Sequence, residues 1–153
     1  MHQLTLHTYF RSSTSFRARA ALNLKVVNAH QRFYHLKHGQ QRAPGYLDLN
    51  PQGLVPTLQL PDGVVLTQSL AIIEFLEESV PNPPLLPKDP IQRARARALA
   101  LMIACDIHPI NNLKVLEFLK QRFNADGDAV KAWFSHWVTE TFDALEVQLS
   151  RRP

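Results

Sequence analysis

Cysteine is almost absent. Cys105 stands alone, so the chain can form no internal disulfide. A single thiol fits a reducing compartment, and the expected localisation is cytoplasmic. No apolar run is long enough to span a bilayer. The first residues also lack the basic-then-apolar pattern of a secretory leader. Neither a membrane-spanning nor a secreted class is therefore expected. Internal repeats and low-complexity tracts are missing as well. Neither sign of charge dominates: 17 lysines and arginines against 13 acids give +4, a weak bias toward anionic partners. Arg93, Arg95 and Arg97 look like a nucleic-acid patch, yet a spacing of two on a helix swings them to different sides. They read as a solvated helix surface, and no nucleic-acid partner is expected. Apolar residues are plentiful: 45% hydrophobic against 20% charged over 153 positions is the make-up of one globular domain or two small ones.

The chain is organised around Arg11-Ser12-Ser13-Thr14-Ser15-Phe16-Arg17-Ala18-Arg19. A short alternating run at 4–7 precedes it and reads as a strand. Ala20, Ala21, Leu22 and Leu24 then give the segment 15–25 an apolar helix face. Hydroxyls at a strand-to-helix junction serve as N-caps, because first-turn amides lack intrahelical partners. The same geometry turns backbone N–H groups and a positive helix end toward any anion. Four hydroxyls and a leading arginine exceed what a cap alone requires.

Residues 30–36 read as a second strand, and strand–helix–strand argues for a parallel pair with a right-handed crossover. Residues 37–50 are polar, interrupted by Gly39, Pro44 and Gly45, and are expected to be helix-poor. Strands at 55–60 and 64–66 flank the turn Pro61-Asp62-Gly63 as a hairpin. Gln68-Ser69 precede a helix over 70–79. Residues 1–80 thus read βαβ then ββα, an α/β domain. Five prolines (Pro81, Pro83, Pro84, Pro87 and Pro90) mark 81–90 as an extended linker. Beyond it, 91–153 is expected to be all-α. One long helix is predicted from about 90 to about 123, with Pro90 in its first turn. A turn at Ala125-Asp126-Gly127 leads into a second helix. Its Val130, Trp133, Phe134, Trp137, Thr141 and Leu145 share one broad apolar face. Those aromatics are expected to be core, and Cys105 a small buried residue.

Four stretches carry a family resemblance in order and spacing. They are Arg11-Ser12-Ser13-Thr14-Ser15, then Asn50-Pro51 with Val55-Pro56-Thr57-Leu58, then Gln68-Ser69-Leu70-Ala71-Ile72-Ile73-Glu74, and last Asp106-Ile107-His108-Pro109-Ile110-Asn111-Asn112. Together they resemble the zeta-class glutathione transferases, specifically the bacterial maleylacetoacetate and maleylpyruvate isomerases. The likeness covers nearly the whole chain. It implies a glutathione transferase fold, with a thioredoxin-like domain followed by a truncated helical one. It also implies glutathione as cofactor, a small dicarboxylate-type substrate and a homodimer. The reaction implied is cis–trans isomerisation of maleylacetoacetate to fumarylacetoacetate, or of maleylpyruvate, in the catabolism of aromatic compounds. Maleylacetoacetate is the preferred substrate of the two. The alternatives are a general glutathione transferase conjugating electrophiles, and a non-catalytic glutathione-binding or dimer-forming protein.

Such an isomerisation needs a nucleophile that adds, permits rotation about the new single bond, and leaves. The thiolate attacks and the thiol does not. Lowering a thiol pKa from roughly 8.5 to about 6.5 takes about 2.7 kcal/mol. One hydrogen bond to a charged group contributes about 1.5–3 kcal/mol, so a hydroxyl donor plus a helix N-terminus suffices. The resemblance carries the catalytic role onto Ser12, with Ser13 and Thr14 beside the sulfur and Arg11 near the reacting end. Thr14 replaces the cysteine of the animal enzymes' motif. Ser69 at a helix N-terminus suits the γ-glutamyl carboxylate, with Gln68 adding polar contacts; an ordinary N-cap is the plain alternative. The family places a cis bond before Pro56, where the Val55 main chain would pair with the cysteinyl backbone; the sequence alone favours trans. Gln41 would reach the glycyl end. His108 and Asn112 lie four apart, which puts them on one helix face, and in the family that face borders the cofactor. Arg11 and Lys114 are candidates for the substrate carboxylates. His-x3-Asn is no convincing metal site, and the implied mechanism needs no metal. His7, His30, His35, His38 and His136 show no partner pattern. Relatives continue past Arg151-Arg152-Pro153 into helices with a substrate-binding arginine. The chain is therefore expected to be either a piece of a longer protein or a shortened relative, associating as a dimer or larger and isomerising poorly.

Overall fold

Four short strands make one mixed sheet: β1 (Thr5–Thr8), β2 (His30–Phe33), β3 (Thr57–Gln59) and β4 (Val65–Thr67), in the order β2-β1-β3-β4. In this computed structural model residues 3–151 are described. The ends of the segments expected at 1–80 and 91–153, residues 1, 2, 152 and 153, lie outside the described residues. The chain divides into two compact units, Met1–Leu86 and Pro87–Pro153. No described helix is long and apolar enough to cross a membrane.

In the first unit β1 and β2 run parallel, joined by α1 (Ser13–Leu24), while β3 pairs antiparallel with both β1 and β4. Leu6 sits opposite Leu58, and Leu58 opposite Leu66, so alternate residues point to one face. On that face Leu6 and Leu58 pack with Ala18, Ala21 and Leu22 of α1 and with Ile72 and Leu76 of α3 (Ser69–Ser79). Burying each of Leu6, Leu58 and Ile72 contributes about 1.5–3 kcal/mol. The residues between them, His7 and Thr57, turn to the opposite face, where Tyr9, Tyr46 and Val55 form a second cluster.

A buried ion pair ties the far ends of α1 and α3 together. Lys25, the C-cap of α1, meets the Glu77 carboxylate and donates to the Val80 carbonyl at 2.7 Å. Glu77 also accepts from the Leu85 and Leu86 amides at 2.9 and 3.2 Å, so the chain leaving α3 folds back onto it. Burial pushes the Glu77 pKa up, but the Lys25 hydrogen bond and the two amides outweigh it and hold the pKa below its usual value.

Four expectations need correction. The stretch 37–50 is not without helix: two single 3-10 turns (Leu36–His38 and Gln40–Arg42) precede α2 (Pro44–Leu47). Pro44 provides its first turn. The long helix over 90–123 is two helices, α4 (Pro90–Leu101) and α5 (Leu113–Phe123), separated by a π-helical turn, Met102–Ile107. Pro109 is the reason: it has no N–H to give, and its ring clashes with a carbonyl one turn back. The helix widens before it, His108 N–H reaching the Ile103 carbonyl at 3.0 Å, and restarts with Asn112 as N-cap. Cys105, within that turn, is exposed and not buried. The aromatics of α6 (Gly127–Ser150) are not a closed core either. Trp133 and Trp137 are half-buried and Phe134 is 44% exposed. A single helix face of this width has too few neighbours in the second unit to cover it.

Candidate active site

The β1–α1 junction places the hydroxyl cluster. Ser12 adopts extended backbone (φ −88°, ψ 121°) and caps α1, its Oγ accepting from the Ser15 amide at 3.2 Å. Its own amide closes a turn onto the Tyr9 carbonyl at 3.1 Å. Ser12 Oγ lies 2.8 Å from Thr14 Oγ1, and Thr14 donates to the Val55 carbonyl at 2.9 Å. This draws Ser12, Thr14 and the Val55–Pro56 bond, which is cis, into one hydrogen-bonded group. Ser13 and Arg11 are exposed at the same junction, and Ser12 is half-buried. Ser15 is fully buried, and its hydroxyl receives the Tyr9 amide at 3.4 Å.

Arg19, one of the nine residues in the organising stretch, has a role that its sequence position alone did not indicate. Its guanidinium donates to Thr8 Oγ1 at 2.8 Å, to the Tyr9 carbonyl at 3.2 Å and to the Phe10 carbonyl at 3.4 Å. The rigid fork of donors suits three acceptors in successive residues. It fixes the loop that delivers Arg11 and Ser12.

The Val55 side is supported from beneath. Tyr46 Oη donates to the Leu54 carbonyl at 2.6 Å and Asn50 Nδ2 donates to it at 2.8 Å. Both also reach Thr57 Oγ1, at 3.0 and 3.3 Å. His7 meets Tyr34 Oη through Nδ1 at 2.9 Å. Burial raises the Tyr46 and Tyr34 pKa values and lowers that of His7, so all three are neutral supports near pH 7. Tyr46 lies in the stretch 37–50, whose breakers predict little helix, and His7 shows no partner pattern in the sequence.

At α3 the helix begins with Ser69 itself, one residue earlier than expected, and Ser69 is buried. Gln68 occupies the cap with φ +67°, and its side chain makes no capping hydrogen bond. The leading amides of α3 are therefore open to an anion. Gln68 Nε2 donates instead to Gln52 Oε1 at 3.0 Å. Gln41 is half-buried, and its Oε1 is enclosed without a protein partner. Gly53 (φ +61°) brings that loop close: a Cβ there would meet the Gln41 carbonyl oxygen at 3.0 Å.

His108, Asn112 and Lys114 belong to the second unit. His108 and Asn112 do meet, Nε2 to Nδ2 at 3.4 Å, but across the break made by Pro109 and not on one helix face. Asn112 Oδ1 accepts from the Lys114 amide at 3.2 Å, and the Lys114 side chain is exposed in the first turn of α5.

This geometry has close counterparts. Residues 11–79 match the family model of the glutathione S-transferase N-terminal domain. The maleylacetoacetate isomerase of Pseudomonas aeruginosa is 46% identical over 145 residues, 94% of this chain and 68% of that protein. A solved maleyl pyruvate isomerase, a bacterial glutathione S-transferase of the zeta class, superposes with a TM-score of 0.95 at 47% identity. The match covers 97% of this chain and 70% of that one. The maleylacetoacetate isomerase of Methylobacterium extorquens AM1, solved with malonate and glutathione bound, gives 0.94 at 40% identity, over 97% and 69%. With this identity across nearly all of its length, the chain belongs to the zeta-class glutathione transferases, the family of the maleylacetoacetate and maleylpyruvate isomerases.

Proposed function

We propose that this chain acts as a glutathione-dependent cis–trans isomerase of maleylacetoacetate or maleylpyruvate. The observation that carries the reading is the junction where Ser12 caps α1 and is joined through Thr14 to Val55. The residues present fit the tripeptide. The first turn of α3, uncapped by the Gln68 side chain, and the Ser69 hydroxyl suit its γ-glutamyl carboxylate, with Gln68 beside them. The Val55 main chain, before cis Pro56, suits its cysteinyl backbone, and the enclosed amide of Gln41 its glycyl end. Glutathione, when bound, supplies the sulfur nucleophile that adds to the activated double bond and later leaves. Ser12 donates a hydrogen bond toward that sulfur, and the positive end of α1 favours negative charge there. Ser13 flanks the same position. Arg11 and Lys114 are exposed cations suited to the substrate's carboxylates, and the family resemblance assigns His108 and Asn112 to cofactor contacts. The Methylobacterium structure holds a dicarboxylate, malonate, as well as glutathione, which favours this substrate class.

In this proposal residues 1–80 bind glutathione, 81–90 link, and 91–153 belong to the helical domain of a cytoplasmic homodimer. The test is an assay of the purified protein against both maleyl substrates, with and without glutathione, beside a simple conjugation electrophile. Isomer formation that requires glutathione is the expected result. Turnover without glutathione overturns the mechanism, and conjugation without isomerisation replaces it with a general transferase.

A further inference from the structure

We propose that Thr14 is a positioning residue that competes with the glutathione sulfur for the Ser12 proton, and so sets how readily the bound thiol ionises. The proposal rests on the reading of Ser12 as the sulfur's hydrogen-bond donor. The geometry fixes where each proton points. Thr14 Oγ1 lies 2.9 Å from the Val55 carbonyl oxygen, and a carbonyl only accepts. The single Thr14 proton is therefore committed to Val55. At the 2.8 Å contact with Ser12 Oγ, Thr14 has only lone pairs left to offer, so Ser12 is the donor. Ser12 Oγ meanwhile accepts from the Ser15 amide at 3.2 Å. A directed chain results: Ser15 N–H to Ser12 O–H to Thr14 O–H to the Val55 carbonyl. Each hydroxyl in it donates once and accepts once.

Ser12 has no second proton. To serve the sulfur it must turn its O–H bond away from Thr14, while the cap bond from Ser15 keeps the oxygen in place. Ionisation of the bound thiol is then favoured by the new charged hydrogen bond and opposed by the neutral one given up. A neutral hydrogen bond of ordinary strength corresponds to about half to one pH unit of thiol pKa. Removing the Thr14 hydroxyl removes that competitor without removing the donor. Val55 loses a hydrogen-bond donor in the same change, which is why the readout must be the thiol itself.

The experiment titrates the thiolate absorbance of bound glutathione in wild type, Thr14→Val, Thr14→Ala, Thr14→Ser and Ser12→Ala, with circular dichroism to check folding. Thr14→Val should lower the bound thiol pKa by about half to one pH unit, Thr14→Ala should shift it the same way, and Thr14→Ser should restore it. In a Ser12→Ala background Thr14→Val should change nothing, because the effect passes through the Ser12 proton; a general loosening of the loop would not vanish there. If Ser12→Ala raises the thiol pKa but the folded Thr14 variants leave it unchanged or raise it, Thr14 is not a competitor and the proposal fails. If Ser12→Ala itself leaves the thiol pKa unmoved, the underlying reading of Ser12 fails instead.

Discussion

Ser12 holds two duties of different size. As the N-cap of α1 its hydroxyl is worth about 0.5–2 kcal/mol of stability. As the proposed donor to a thiolate it is worth about 1.5–3 kcal/mol of ionisation. Ser12→Ala is therefore expected to keep much of the glutathione affinity, since the contacts at Ser69 and Val55 remain, while turnover falls by roughly 10- to 100-fold. Ser69→Ala should instead weaken binding by about 1–3 kcal/mol. Titration calorimetry and turnover on the two variants check this, and loss of binding in Ser12→Ala with none in Ser69→Ala would reverse the assignment. Arg19 is a separate case, because it holds Thr8, Tyr9 and Phe10 without being proposed to touch a ligand. Arg19→Met should cost about 1–3 kcal/mol in urea melts, and Arg19→Lys should recover only part, since a point charge cannot span three acceptors. Equal stability of Arg19→Met and wild type would show that the loop holds itself.

Among the elements, α1 and α3 are joined by the Lys25–Glu77 pair as well as by their apolar faces. The Lys25 side chain is fully buried and that of Glu77 only 9% exposed, so removing one partner strands a charge. Glu77→Gln should cost about 3–5 kcal/mol at neutral pH. The folded Glu77 pKa lies below its unfolded value, so the pair's stabilisation is fully present above about 4.5 and is lost as pH falls through the folded pKa. Denaturant melts from pH 7 down to pH 3 should show a steep acid loss in wild type and a shallower one in Glu77→Gln; parallel curves would remove Glu77 from the acid response. Nothing in the sequence joins Lys25 to Glu77, because the contact arises only when two helices pack on one sheet face. The strands were easier to read. Alternation at 4–7 and the Pro61-Asp62-Gly63 turn are local signals, and local signals survive folding. Pro109 is local too, but the apolar period runs on either side of it, so the pattern predicts one helix where the missing N–H makes two. The same proximity rule explains the site. Ser12 and Ser69 were legible as hydroxyls at helix starts, whereas Arg19 and Tyr46 act through carbonyls, which carry no sequence signature.

Across the whole molecule burial is uneven. Among the described residues the buried apolar side chains belong to the first unit, with Ile107 the exception in the second. The second unit relies on half-buried residues such as Trp133 and Trp137, while Phe118, Phe123, Phe134 and Phe142 are exposed. Local stability follows buried apolar contact, because opening a segment that buries little costs little. The two units should therefore open separately in this 153-residue chain. Native-state amide exchange is expected to be slowest in β1, β3 and the buried turns of α1 and α3. Protection in α5 and α6 should be lower by at least tenfold, a difference of about 1.4 kcal/mol. Raising the protein concentration adds a second comparison. If two copies associate through the exposed phenylalanines, protection in α5 and α6 should climb with concentration while that of β1 stays constant, because binding stabilises only what it covers. Equal protection in both units at low concentration would mean that the half-buried tryptophan stripe holds the second unit as firmly as the sheet holds the first.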